Sequence, residues 1–578
     1  MPIISSDYEG STAYSFAASG TNVVLKANTV YNYTGYGAAF LMNTYYAHFL
    51  VAGIIYSNDD GINFNSYGSY IDVAATGMVI GTSGSGIVFT AGSGAVTINN
   101  SGTIEGQGGI VGGEATNYVD IYNSGLIQSD REYIAAIATG SAGDQVINTG
   151  TIIGNISTGA GSDTIDTHLG TFTGFIDGGA GSDTYTVADG QKIREGYYYQ
   201  PDGDDGAVDT VNSYGNFTLG EYLESLNLLG AATIGRGNEL NNTIQGNDNG
   251  NRLFGGDGID QLVAGSGDDV LRGGAGGDIL SSLEGSDQFF GGDGNDILQS
   301  GLEKVTMNGG AGLDVAAFLY NDTALVVDFT LATGRVKGGV AQTDVLISIE
   351  GVWGSQFDDK MTGDAGANNF LGYLGNDVLS GGGGDDTLEG YAGADTLDGG
   401  DGIDTLSYAF DFVGVNVSLL SGTASGGDAQ GDTFTNFENL TGGSRADTLT
   451  GSSGANVLSG GDGDDVLSAG ANKDTLIGGS GNDTLTGGIQ TDLFVFADPI
   501  GYYDIPSTLT FGQDTITDFQ DGQDRISFIG NSDVHSLADL TISQSGSNTV
   551  VLVTGTTDQI TLLNFSAVNF NSADVIFG

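Results

Sequence analysis

The chain has 578 residues, too many for one hydrophobic core, so it either divides into domains or grows as a solenoid along one axis. Its 102 glycines and only 4 prolines exclude a collagen triple helix and a helical protein, which leaves β structure rich in turns. With 14 basic against 72 acidic residues the net charge is −58, which excludes nucleic acid and anionic membrane as direct partners; the absence of cysteine excludes disulfides, thiolate zinc sites and thiol catalysis.

The start, MPIISSDYEGSTAYSF, has neither the basic nor the apolar segment of a secretory leader, and no apolar run is long enough to cross a bilayer, so membrane insertion is not expected. Gly53, Gly77, Gly102, Gly125, Gly150 and Gly174 each precede a short apolar pair, at intervals of about 24 residues. Several are introduced as NSG or NTG, which suits a corner. One coil of a parallel β-solenoid has about this length, so residues 1–190 are expected to form one. Tyr31, Tyr33, Tyr36, Tyr45 and Tyr46 crowd its first part and suit either protein and sugar contacts or packing within strands. The last rungs read GAGSDTID and GGAGSDTYT, which makes Asp163 and Asp183 candidate cation ligands. Residues 191–236 are read as a connector.

From Gly255 the chain reads GGDGIDQLV, AGSGDDVLR, GGAGGDILS and onward without a slip, the pattern G-G-x-G-x-D-x-U-x with U large and apolar. Weaker copies begin at Gly237 and Gly246, so a first block covers 237–317. Further blocks cover 354–407 and 442–495. The segments between them, 318–353 and 408–441, resemble each other: strand, glycine-rich turn, strand, then Glu350 or Glu438. They are expected to be β-hairpin inserts capping each block. After Val495 the pattern is lost, and 496–578 is expected to be a C-terminal β cap in which Asp514, Asp518 and Asp524 could hold a further ion.

Each nonapeptide is a tight turn followed by a short strand. Glycines allow positive φ and let carbonyls approach an ion, the aspartate adds a charged oxygen, and residues such as Leu262, Leu271 and Leu280 point inward. Two nonapeptides make one coil, so stacked aspartates fall about 4.8 Å apart and repel unless a cation lies between them. Only 13 of the 72 acids are glutamates, and the aspartates recur at fixed spacing, which argues for ligands rather than a solvated acidic surface.

These repeats resemble those of the repeats-in-toxin (RTX) family. The resemblance implies right-handed parallel β-rolls, Ca²⁺ between successive turns and export by type I secretion, with the signal in the C-terminal segment. The implied fold is all-β: an N-terminal parallel β-solenoid, several calcium-binding β-rolls with hairpin inserts, and a C-terminal β cap. Carried over by position, the Ca²⁺ ligands are Asp260, Asp269, Asp278, Asp287, Asp296 and Asp314; then Asp359, Asp377, Asp386, Asp395 and Asp404; then Asp447, Asp465, Asp474, Asp483 and Asp492. Val305, Asn242, Asn251, Asn368 and Asn456 replace aspartate and should bind weakly or not at all.

With His48, His168 and His535 scattered there is no HExxH zinc helix, and the acids Asp59, Asp60, Glu105, Glu114, Asp130 and Glu132 share no rung position, so no enzyme is expected. The expected role is a secreted or cell-surface structural protein that self-assembles, as a homo-oligomeric sheet, sheath or filament. An adhesin binding cell-surface polysaccharide is the alternative, and a carbohydrate-acting solenoid enzyme a more distant one.

Overall fold

Throughout the chain, segments of a few residues alternate buried apolar with outward polar side chains between glycine or asparagine corners, which makes short strands. The computed structural model describes the whole chain except residues 1–2, 5–6, 11–12, 17–21, 43–46, 65–67, 90–94, 113–117, 132–133, 196–205, 283, 302, 331–333, 338–343 and 498–510. Tyr45, Tyr46, Glu114 and Glu132 lie outside the described residues. Two units, Met1–Asp293 and Gly294–Gly578, are each built almost wholly of parallel strands.

The first unit begins as a three-faced solenoid. One face stacks His48–Val51, Ser69–Val73, Val96–Asn100, Val119–Asn123 and Gln145–Asn148 in parallel register. A second stacks Val30–Tyr33, Ile54–Ser57, Met78–Gly81 and Thr103–Gly106, and a third Phe40–Met42, Ile62–Phe64, Ile87–Phe89 and Ile110–Gly112. The NSG and NTG corners have a specific cause. Asn100 Nδ2 donates to Asn123 Oδ1 at 2.8 Å, and Asn123 Nδ2 to Asn148 Oδ1 at 2.7 Å, a buried amide ladder that satisfies itself. Gly125 follows because a Cβ there would lie 2.1 Å from the Gly102 carbonyl oxygen. Tyr31 and Tyr33 are buried, which decides for packing at those two positions, whereas Tyr36 is fully exposed.

The stretch expected to connect solenoid and rolls already carries coils. Thr210–Ser213 pairs in parallel with Thr184–Val187 and with Ser225–Leu228, and Phe217–Thr218 pairs with Ile234–Arg236. Each coil here has two faces, and the nonapeptide strands continue it: Leu226, Ile244, Leu262 and Leu280 form one inward column and Leu253, Leu271 and Phe289 the other, all fully buried.

In the second unit one face runs without interruption through Val315–Ala317, Gly351–Trp353, Asn369–Leu374, Thr387–Ala392, Thr405–Ser407, Asn439–Thr441, Val457–Asp462, Thr475–Ser480, Leu493–Val495, Arg525–Phe528 and Val575–Phe577. The inserts enter only the opposite face, and they do not cap it. Val345–Ile347 pairs in parallel with Val305–Ala311, then antiparallel with Gly334–Lys337, which is antiparallel to Val326–Asp328, which resumes parallel pairing with Lys360–Thr362. The hairpin is thus spliced into the sheet. In the second insert Asn416–Ser418 pairs antiparallel with Thr423–Ser425 and parallel with Thr448–Thr450, while Thr433–Thr435 continues from Thr396–Asp401. At the C-terminal end Gln559–Leu562 pairs in parallel with Gln513–Ile516, and the antiparallel strands Asn548–Val553 and Leu540–Ser545 complete that face.

Phe370, Leu388, Leu406, Leu440, Leu458, Leu476 and Phe494 stack in register along the continuous face and are at most 1% exposed. Deleting one removes contacts to both neighbouring coils. Leu388→Ala should therefore cost about 2–5 kcal/mol in urea unfolding of the calcium-loaded protein.

Candidate metal centre

In each nonapeptide the aspartate sits where the glycine turn becomes strand, two residues before the inward apolar side chain, and this corner buries it. Aspartates 18 residues apart stack, and Oδ1 of each accepts the main-chain N–H of the aspartate one coil earlier. Asp278 accepts from Asp260 and Asp287 from Asp269, both at 2.8 Å; Asp314 accepts from Asp296 at 3.0 Å. Asp377 accepts from Asp359 and Asp395 from Asp377 at 2.7 Å, and Asp404 from Asp386 at 2.8 Å. Asp465, Asp483 and Asp492 accept from Asp447, Asp465 and Asp474 at 2.7, 2.8 and 3.1 Å. Asp183 accepts from Asp163 at 2.8 Å in the same way.

The other carboxylate oxygen is the chemically open one. Oδ2 of Asp163, Asp260, Asp269, Asp314, Asp377, Asp386, Asp395, Asp404, Asp465, Asp474, Asp483 and Asp492 is buried without a hydrogen-bond donor. A cradle of main chain surrounds it. A Cβ on Gly372 would lie 2.2 Å from Asp377 Oδ2, and the same holds between Gly381 and Asp386 and between Gly390 and Asp395, so at these repeats glycine leaves the carboxylate its place. Ala264, Ser282 and Ala469 stand at that position before Asp269, Asp287 and Asp474.

Electrostatics follow from this placement. Burial and, after it, the charge of Asp395 push Asp377 up to about 8, against the accepted Asp359 amide. Asp465 rises to about 8 through burial and Asp483, and Asp260 and Asp269 to about 7 through burial and the next aspartate in each stack. A buried carboxylate oxygen without a donor is costly unless a cation meets it. These residues fit a hard cation that takes oxygen ligands. Among the described residues no group of three or more histidine, aspartate or glutamate side chains is placed to hold a metal alone, so carbonyl oxygens of the glycine turns must contribute. When bound, the cation would neutralise the aspartates and tie successive turns together; the chain's part is to present a buried carboxylate oxygen at repeat after repeat beside a small first residue.

Not every expected position is equivalent. Asp359 and Asp447 open their blocks with both oxygens engaged, Asp359 by the amides of Leu325 and Ser355 and Asp447 by those of Val415 and Gly443. Tyr185 Oη lies 3.4 Å from Asp183 Oδ2. The asparagines are self-sufficient: Asn242 and Asn251 accept an amide of their own turn at Oδ1 and donate from Nδ2 to the carbonyls of Leu223 and Ala232. Asp518 takes the amides of Gly487 and Gly488 on its two oxygens, unlike Asp514, whose Oδ2 is open. Glu350 and Glu438 accept the amides of Asp314 and Asp404 at 3.0 Å and so stand in aspartate positions.

Several ladder members lack the glycine signature. Asp144, Asp209, Glu224, Asp344 and Asp432 accept the amides of Val119, Asp183, Asp209, Val305 and Asp395 at 2.7 to 2.8 Å. Asp344 Oδ2 is open like those of the repeats. The signal that finds them is the tail alone, an acid two places before an inward apolar residue, as in DVLI and DTFT. Elsewhere, Glu105 and Asp130 meet between neighbouring rungs of one face; burial and then Asp130 raise the Glu105 carboxyl.

The family model of the RTX calcium-binding nonapeptide repeat matches in overlapping windows spanning 236–316, 352–406 and 441–496. The chain therefore carries RTX repeats, which bind multiple Ca²⁺ ions. Among solved structures, the extracellular lipase LipA from Serratia marcescens aligns over 62% of this chain at 14% identity with a TM-score of 0.21, and this chain covers 41% of the lipase's length. The AlgE6R3 subunit of the Azotobacter vinelandii mannuronan C5-epimerase aligns over 39% of this chain and 80% of its own at 20% identity, TM-score 0.09. No curated protein matches the sequence.

The raised carboxyls fix the sign of a pH effect. In the calcium-free fold Asp377 and Asp465 hold protons up to about 8, whereas in the unfolded chain they release them near the ordinary 3.8. The folded state then binds more protons, so its stability is greatest below the unfolded value and is lost as pH rises toward 8. Acidifying chelated protein from pH 8 to 5 should raise its β signal in circular dichroism. Gly372→Ala, by intruding on Asp377, should raise the calcium concentration for half-maximal folding about tenfold in a titration followed the same way.

Proposed function

We propose that the chain is a secreted structural protein whose coils fold on calcium outside the cell and then associate into a surface layer, sheath or filament. The observation that carries this reading is the repeated buried aspartate oxygen without a donor, present coil after coil in both units. Where free calcium is low the aspartate stacks repel and the glycine-rich chain stays open, which keeps it threadable for type I export. Where calcium is plentiful the stacks close. The net charge of −58 holds copies apart until cations neutralise it, so the same ion that folds the chain also permits association.

Excess chelator should abolish the β spectrum, and adding millimolar calcium should restore it. Negative-stain microscopy across the same titration should show lattices or filaments above a threshold. Monodisperse particles at every calcium concentration would overturn assembly and favour an adhesin, a reading supported by the exposed tyrosines Tyr36, Tyr70 and Tyr118 in residues 1–190. A glycan array with the full calcium-loaded chain reads that alternative directly.

A further inference from the structure

Although the chain has only 14 basic residues, two of its arginines line up on one outer face of the first unit. The strands Ile234–Arg236, Arg252–Asp257, Val270–Ala275 and Asp287–Asp293 are parallel neighbours, and their register sets Arg236, Phe254, Arg272 and Phe290 side by side in that order. Both arginines are exposed and both phenylalanines are partly buried. The Arg236 guanidinium carbon lies 3.9 Å from the centre of the Phe254 ring, and that of Arg272 lies 4.1 Å from Phe290. Stacking holds each guanidinium flat and leaves its N–H edge free to bond. Among the described residues neither arginine is in an ion pair, despite the excess of acids.

We infer that this arginine–phenylalanine ladder is the docking surface for the acidic row on the same sheet of a second copy of the chain. The inference rests on the calcium-assembly reading and names the contact that would carry it. Spacing is the first argument. Arg236 and Arg272 are two strands apart, about 9.6 Å. Asp257 and Asp293, both exposed, flank Ala275 in the same sheet, so outward carboxylates recur at the same two-strand interval. Two identical coils laid side by side share one repeat, so each guanidinium can meet a carboxylate without distortion; a polysaccharide brings a repeat of its own. Charge is the second argument. Copies at −58 repel everywhere except where arginine meets acid, so the ladder determines which faces meet. Guanidinium and carboxylate rows lie on the same sheet, so two copies can meet through the same face, each giving both partners.

The test uses full-length protein carrying Arg236→Glu and Arg272→Glu, titrated with calcium. Circular dichroism should match wild type, while the protein concentration needed for assembly, read by light scattering and microscopy, should rise about tenfold or more. Should charge reversal disturb folding, Arg236→Gln with Arg272→Gln is read in the same way. A folded variant that assembles at the wild-type concentration overturns the ladder and leaves calcium assembly standing. If that variant instead loses retention on an immobilised uronate polysaccharide, the ladder is a glycan site and the proposal falls. Wild type that never assembles removes both readings.

Discussion

A carboxylate buried at a turn, with one oxygen held by a neighbouring amide and the other facing no donor, is the constraint from which the rest of the repeat follows. It needs room, so the first position is a small residue, glycine in most repeats and alanine at Ala264 and Ala469. It needs a rigid corner, so a buried leucine or phenylalanine follows two residues later and packs against its counterparts 18 residues away. Burial and the next aspartate disfavour ionisation, so the fold as built is poorly satisfied without a divalent cation. Core, turn and charge are therefore three aspects of one placement.

The contrast with the start of the chain is instructive. There the stacked polar residue is asparagine, which both donates and accepts, so Asn100, Asn123 and Asn148 close a ladder among themselves. Aspartate only accepts when ionised. Exchanging one side chain for the other at a similar stacked corner turns a self-contained solenoid into one that requires an ion. Asn242 and Asn251 mark this exchange where the repeats begin, each bonded to a carbonyl outside the nonapeptide register.

The nonapeptide reading carried far because its glycines, aspartate and apolar residue each serve one local demand, and the period of nine fixes the 18-residue register that the strands show. Two things were less legible. Asp344 and Asp432 stand at ladder positions although their turns come from hairpin inserts and lack the glycine motif, so only the acid and the inward residue remained as a signal. The inserts themselves read as caps because a hairpin commonly ends a sheet. Nothing local in 318–353 reveals that the other face passes directly from Val315–Ala317 to Gly351–Trp353, a long-range pairing that keeps the stack continuous.

The ladder also has a direction. Each buried ladder aspartate satisfies an amide in the coil before it, while the exposed acids beside them do the reverse: Asp358, Asp385 and Asp464 accept the amides of Asn376, Ile403 and Asn482 in the coil after. The buried dependence runs one way, and the outer acids tie each coil back to the one before it. It ends where the amide of Asp524 turns back to the carbonyl of Gln520 and asks nothing of a later coil. Losing a coil from either side therefore strips amides from what remains: the Asp359 amide is held by Asp377 one coil on, and the Val378 amide by the Asp359 carbonyl one coil back. Order in such a molecule is held from both sides, and no coil is finished by its own residues alone.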